Sequence, residues 1–116
     1  FIFGAAVAVA LGVGFVPIRK SGKLPVATIG ADYHLEYGTD RLEMDPATVH
    51  AGQRVALVDD LIATGGTARA AAALLRKAGA DVDRAVFVIG LPDLGGATAL
   101  AEMGVATATL MEFPGH

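Results

Sequence analysis

Between residues 54 and 91 the sequence lays out a strand, a helix and a second strand, with only short connections between them. Arg54 to Val58 is a continuous apolar run after its first residue. Thr67 to Ala78 is rich in alanine and leucine, carries Arg76 and Lys77 in its last turn where they complement the helix dipole, and stops at Gly79. Ala85 to Leu91 is apolar again. A strand that returns through a helix to a neighbouring strand crosses over right-handedly, and the two strands are then parallel. Parallel sheets carry helices on their faces, so this unit predicts an α/β domain with both sheet faces covered.

The flanking segments extend the same pattern. Ala5 to Leu11 reads as a helix closed by Gly12, and Gly14 to Ile18 as a buried strand with Arg19 and Lys20 at its carboxyl end. Ser21 to Pro25 is a basic loop. Val26 to Asp45 has β-branched residues at its ends and glycines and charges between them, which predicts a long hairpin-like excursion with a mobile centre. A helix from Gly96 to Met103 and a strand from Ala106 to Met111 finish the chain. The 116 residues, 53% of them hydrophobic, are enough for one buried core, so residues 1–116 are expected to form a single domain.

Charge and composition exclude several classes of function. Nine basic and twelve acidic residues are scattered without a basic stripe, so no nucleic-acid partner is expected. With no cysteine there is no disulfide framework, thiolate metal site or cysteine nucleophile, which fits a cytoplasmic protein. Phe1 to Ile18 lacks charge, but Gly4, Gly12, Gly14 and Pro17 interrupt it and no basic segment precedes it, so it is not expected to enter a membrane. The first residue is Phe1 rather than Met, as in a chain that begins inside a larger domain.

The chemistry concentrates in VALVDDLIATGGTA, Val55 to Ala68. In open α/β sheets ligands gather at the carboxyl ends of the strands, and here Asp59 and Asp60 are followed by a small-residue turn and a helix start. The successive N–H groups of Ala63, Thr64, Gly65, Gly66 and Thr67 are suited to cradle a phosphate, aided by the helix dipole and the threonine hydroxyls. The turn has no lysine and does not match G-x-x-x-x-G-K-[ST], so it is not a nucleoside-triphosphate loop. Two carboxylates beside an anion site make sense if the ligand carries a diol next to its phosphate, because carboxylates accept hydrogen bonds from hydroxyls. A ribose 5-phosphate has that layout.

These residues resemble the phosphoribosyl pyrophosphate (PRPP) signature of the type I phosphoribosyltransferases. FIFG at Phe1 to Gly4, GFVPIRKSGKLP at Gly14 to Pro25 and LEYG at Leu35 to Gly38 are similar to the adenine-using branch of that family. The resemblance implies a mostly parallel sheet flanked by helices with a flexible hairpin lid. It implies transfer of 5-phosphoribose from PRPP to adenine, giving AMP and pyrophosphate, in a homodimer that uses Mg2+ held mainly through PRPP, with no direct protein ligand. By the same resemblance Asp59 and Asp60 bind the ribose hydroxyls, Ala63 to Thr67 the 5-phosphate, and Arg19, Lys20 and Lys23 the pyrophosphate. Glu36 and Tyr37 correspond to the catalytic lid, and Leu91 to an apolar residue near the base.

Physical chemistry supports these roles separately. Loss of pyrophosphate leaves an oxocarbenium-like ribose, so cations should stabilise the departing charge. Adenine must lose its N9 proton, and a carboxyl group enclosed by a lid is suited to proton transfer at N7. Some positions depart from the family pattern. Gly90 stands where the family commonly has glutamate, and LGGATAL at Leu94 to Leu100 lacks the usual basic residue after its glycine. An amino-terminal segment that completes the base pocket in the family is not present, so these residues alone are expected to be weakly active or inactive. The alternatives are a phosphoribosyltransferase for xanthine or orotate, and a non-catalytic regulator that senses PRPP.

Overall fold

The computed structural model describes residues 2–20, 29–35 and 38–114. Helix α1 (Ile2–Leu11) leads through an extended segment to the short strand β1 (Arg19–Lys20). An antiparallel hairpin of β2 (Ile29–Leu35) and β3 (Gly38–Met44) follows, and β1 pairs with β3 to give a small sheet of order β1-β3-β2. The second half holds β4 (Arg54–Ile62), α2 (Gly66–Lys77), β5 (Asp81–Gly90), α3 (Gly96–Glu102) and β6 (Ala106–Glu112). Their strands form a parallel sheet of order β4-β5-β6.

The register explains which residues make the core. Leu57, Ala85 and Thr107 sit side by side across the parallel sheet, as do Asp59, Phe87 and Thr109. Side chains alternate between faces along a strand, so Ala85 and Phe87 share one face, and both are 1% exposed. Helix α2 supplies the opposing layer with Ala71, Leu74 and Leu75, and α3 adds Leu100. Leu42 and Met44 of β3 join the same core, so the hairpin is anchored at its base.

Several sequence expectations change in detail. Gly14 to Ile18 is not a buried strand: it makes no ladder, Phe15 is exposed, and among the described residues nearby only Arg19 and Lys20 are in a strand, paired with Glu43 and Leu42. Pro17 has no N–H to give a ladder, and Val16 and Ile18 bury their side chains against the core instead. The strand expected to stop at Val58 continues to Ile62, because β5 runs alongside it as far as Gly90. That partner strand also begins earlier, at Asp81. On the face of the parallel sheet opposite α2, Ala56, Val86, Ala108 and Leu110 are exposed, and Val58 and Val88 are partly buried. Among the described residues no helix is long and apolar enough to cross a membrane.

Candidate active site

The carboxyl end of β4 brings the two acidic residues to the rim of the sheet. Asp59 lies on the face shared with Leu57 and is partly buried, while Asp60, one residue on, is exposed on the other. The Asp60 N–H donates a 2.8 Å hydrogen bond to Asp59 Oδ1, which fixes the first carboxylate against its own backbone. Burial pushes the Asp59 carboxyl above its ordinary value of 3.8; the Asp60 N–H opposes that rise and the Asp60 charge adds to it. A partly desolvated carboxylate near the carboxyl end of a strand is placed to accept hydrogen bonds from a hydroxylated ligand.

Ile62, 4% exposed, anchors the end of β4, and the chain then turns into α2 through Ala63, Thr64 and Gly65. Gly65 is the residue before the helix, at φ 87 and ψ 3, a left-handed conformation that disfavours side chains. It offers no capping side chain, and its carbonyl accepts from Arg69 N–H at 2.8 Å. The N–H groups of the first helical turn have no intrahelical acceptor, so this end of α2 is built to receive an anion. Thr64 and Thr67 are exposed beside it.

A cavity of about 480 Å³ opens next to this turn. Asp59 and Thr67 line it together with Phe15, Ile18, Leu42 and Phe87. Arg19, adjacent to Ile18, is exposed on β1, so one of the three expected pyrophosphate-binding cations follows directly on a cavity residue. Lys20 follows it in β1. Leu91 sits just past β5 and its N–H donates to the Ile62 carbonyl at 2.9 Å, which places it on the same rim as the turn. Lys23, Glu36 and Tyr37 lie outside the described residues.

Asp59, Asp60, Ala63 to Thr67 and Leu91 are therefore gathered at one end of the parallel sheet. The sequence reading missed Gly96, which is buried and donates its N–H to the Ala63 carbonyl at 3.0 Å. Its signal in the sequence is the glycine pair Gly95 and Gly96, where Gly96 reads as the start of a helix and the family's usual basic residue is missing.

Residues 1–100 match the phosphoribosyl transferase domain family. The adenine phosphoribosyltransferase of Erythrobacter litoralis is 68% identical over all 116 residues, and the chain spans 65% of that relative's length. A crystal structure of adenine phosphoribosyltransferase from Thermoanaerobacter pseudethanolicus is 50% identical and superposes with a TM-score of 0.92, over 97% of this chain and 64% of that one. The adenine phosphoribosyl transferase of Trypanosoma brucei, crystallised in complex with AMP, pyrophosphate and ribose-5-phosphate, is 33% identical, with a TM-score of 0.86 over 97% of this chain and 52% of that one.

Proposed function

This chain belongs to the phosphoribosyl transferase domain family, and on that premise we propose that it is the PRPP-binding core of an enzyme that transfers 5-phosphoribose to adenine, forming AMP and releasing pyrophosphate. The observation that carries the reading is the uncapped start of α2 beside the Asp59–Asp60 pair: an anion cradle and two diol acceptors at one strand end. The relatives described above support adenine as the base.

In this reading the N–H groups of Ala63 to Thr67 hold the 5-phosphate, and Asp59 and Asp60 fix the ribose by its hydroxyls. Anchoring both ends of the sugar holds its anomeric carbon in place while the bond to pyrophosphate lengthens, which is the entropic part of the rate. Arg19, Lys20 and Lys23 meet the charge that develops on pyrophosphate. Glu36, with Tyr37 beside it, handles the base proton and closes the site against water, and Leu91 packs near the base. The phosphate oxygens and hydroxyls of PRPP suit Mg2+, a hard cation that binds through phosphate oxygens and keeps several waters, and no side chain of this chain is needed as its ligand. Bound with PRPP, Mg2+ would neutralise part of the pyrophosphate charge. A homodimer in the cytoplasm belongs to the same proposal; the exposed Val9, Leu11 and Leu110 provide apolar surface for it.

The test is pyrophosphate release from PRPP and Mg2+ by the chain extended to its relatives' length, with adenine, hypoxanthine, guanine, xanthine and orotate supplied in parallel. Release with adenine alone is expected. Release with another base would overturn the base assignment, and PRPP binding with no release on any base would favour a PRPP-sensing regulator.

A further inference from the structure

We propose that Gly96 is a positioning residue for the anion-binding turn, holding Ala63 to Thr67 in the shape that receives the 5-phosphate without touching the phosphate itself. The inference rests on the ribose 5-phosphate reading of that turn.

Two consecutive carbonyls at the end of β4 are tied to the segment that follows β5. Ile62 C=O accepts from Leu91 N–H at 2.9 Å, and Ala63 C=O accepts from Gly96 N–H at 3.0 Å. In a planar trans peptide the C=O and the following N–H point in opposite directions. Bonding the Ala63 carbonyl to Gly96 therefore turns the Thr64 N–H away from α3. Without that bond the peptide could rotate, and the first donor of the cradle would lose its aim.

The approach is close enough to exclude a side chain at either glycine. A Cβ on Gly96 would lie 2.5 Å from the Ala63 oxygen and 2.6 Å from Ile62 Cγ1. A Cβ on Gly65 would lie 3.0 Å from Gly96 Cα and 3.1 Å from the Gly96 oxygen. The backbone of the turn thus rests directly on the backbone of α3's first residue. Of the two obstacles facing a Gly96 side chain, Ile62 can be trimmed by mutation, whereas the Ala63 carbonyl can yield only if the turn moves. That difference separates a positioning role from a purely structural one.

The experiment is titration of the full chain with ribose 5-phosphate and, separately, with pyrophosphate, for wild type, Gly96→Ala and Gly96→Ala combined with Ile62→Ala. Gly96→Ala should weaken ribose 5-phosphate binding at least tenfold while pyrophosphate binding stays within twofold. The double variant should not regain ribose 5-phosphate affinity, because the clash with the Ala63 carbonyl remains when Ile62 is trimmed. Hydrogen exchange of the wild type gives a second reading that needs no variant: the Gly96 amide should gain protection when ribose 5-phosphate binds. Ribose 5-phosphate affinity unchanged in the folded variants, affinity restored in the double variant, or no change in Gly96 exchange would overturn the inference. A wild type that binds no ribose 5-phosphate at all would instead overturn the reading of the turn on which it rests.

Discussion

Replacing Gly65 with alanine and, separately, Gly95 with alanine compares two residues with nearly the same backbone and different surroundings. Gly65 has φ 87 and Gly95 has φ 81, so each alanine pays a similar left-handed penalty of about 1–2 kcal/mol. Nothing lies within 4 Å of a Cβ at Gly95, whereas a Cβ at Gly65 meets the Gly96 backbone at 3.0 and 3.1 Å. Forcing a methyl against a packed backbone adds roughly 1–3 kcal/mol. Gly95→Ala should therefore cost about 1–2 kcal/mol and Gly65→Ala about 2–5 kcal/mol. For a domain of this size each kcal/mol lowers Tm by about 4 °C, so the two variants should melt several degrees apart. Urea denaturation at constant slope gives the same difference as a shift in midpoint. Equal costs for the two variants would refute the claim that the turn is pressed against α3, because the conformational penalty would then account for everything.

Other perturbations have equally definite outcomes. Burial raises the Asp59 carboxyl, so as pH climbs through its ordinary value toward the raised one the folded state holds more protons than the unfolded state, and stability falls. Asp59→Asn should therefore melt higher than wild type at neutral pH, with the gain shrinking as pH drops below the ordinary carboxyl range, and it should lose PRPP binding; melting curves that coincide at every pH would contradict the desolvation argument. Arg76 donates a 2.6 Å hydrogen bond from its guanidinium to the Val82 carbonyl, and Arg76→Ala should cost about 1–3 kcal/mol by urea denaturation while leaving ribose 5-phosphate binding intact. Glu36→Gln should lower kcat for AMP formation by about 10²–10⁴, with PRPP binding unchanged in calorimetry.

How much of this was legible in advance depended on whether a signal was local. The strand, turn and helix from Arg54 to Lys77 could be read because apolar run, glycine turn and alanine-rich helix succeed one another along the chain. The α1 ending at Gly12 was legible for the same reason, and Gly12 has φ 68. Gly14 to Ile18 misled because an apolar run reports burial and not pairing: Val16 and Ile18 do pack on the core, yet no ladder forms. The extension of β4 through Asp59 and Asp60 was hidden because backbone pairing to β5 outweighs the poor strand preference of aspartate, and the partner is more than twenty residues away. Gly96 was the least visible of all. Its importance lies in contacts with Ile62 and Ala63, and nothing in the glycine pair itself indicates what it faces.

In the proposed function the end of β4 and the start of α2 together hold ribose 5-phosphate as part of PRPP. Calorimetric titration of PRPP in the presence of Mg2+ into wild type and into the Asp59→Asn, Asp60→Asn double variant tests it most directly. Saturable one-to-one binding by the wild type, weakened at least a hundredfold in a double variant that still melts cooperatively, is the predicted result. Binding of equal strength in both would show that the two carboxylates do not hold the sugar and would contradict the claim.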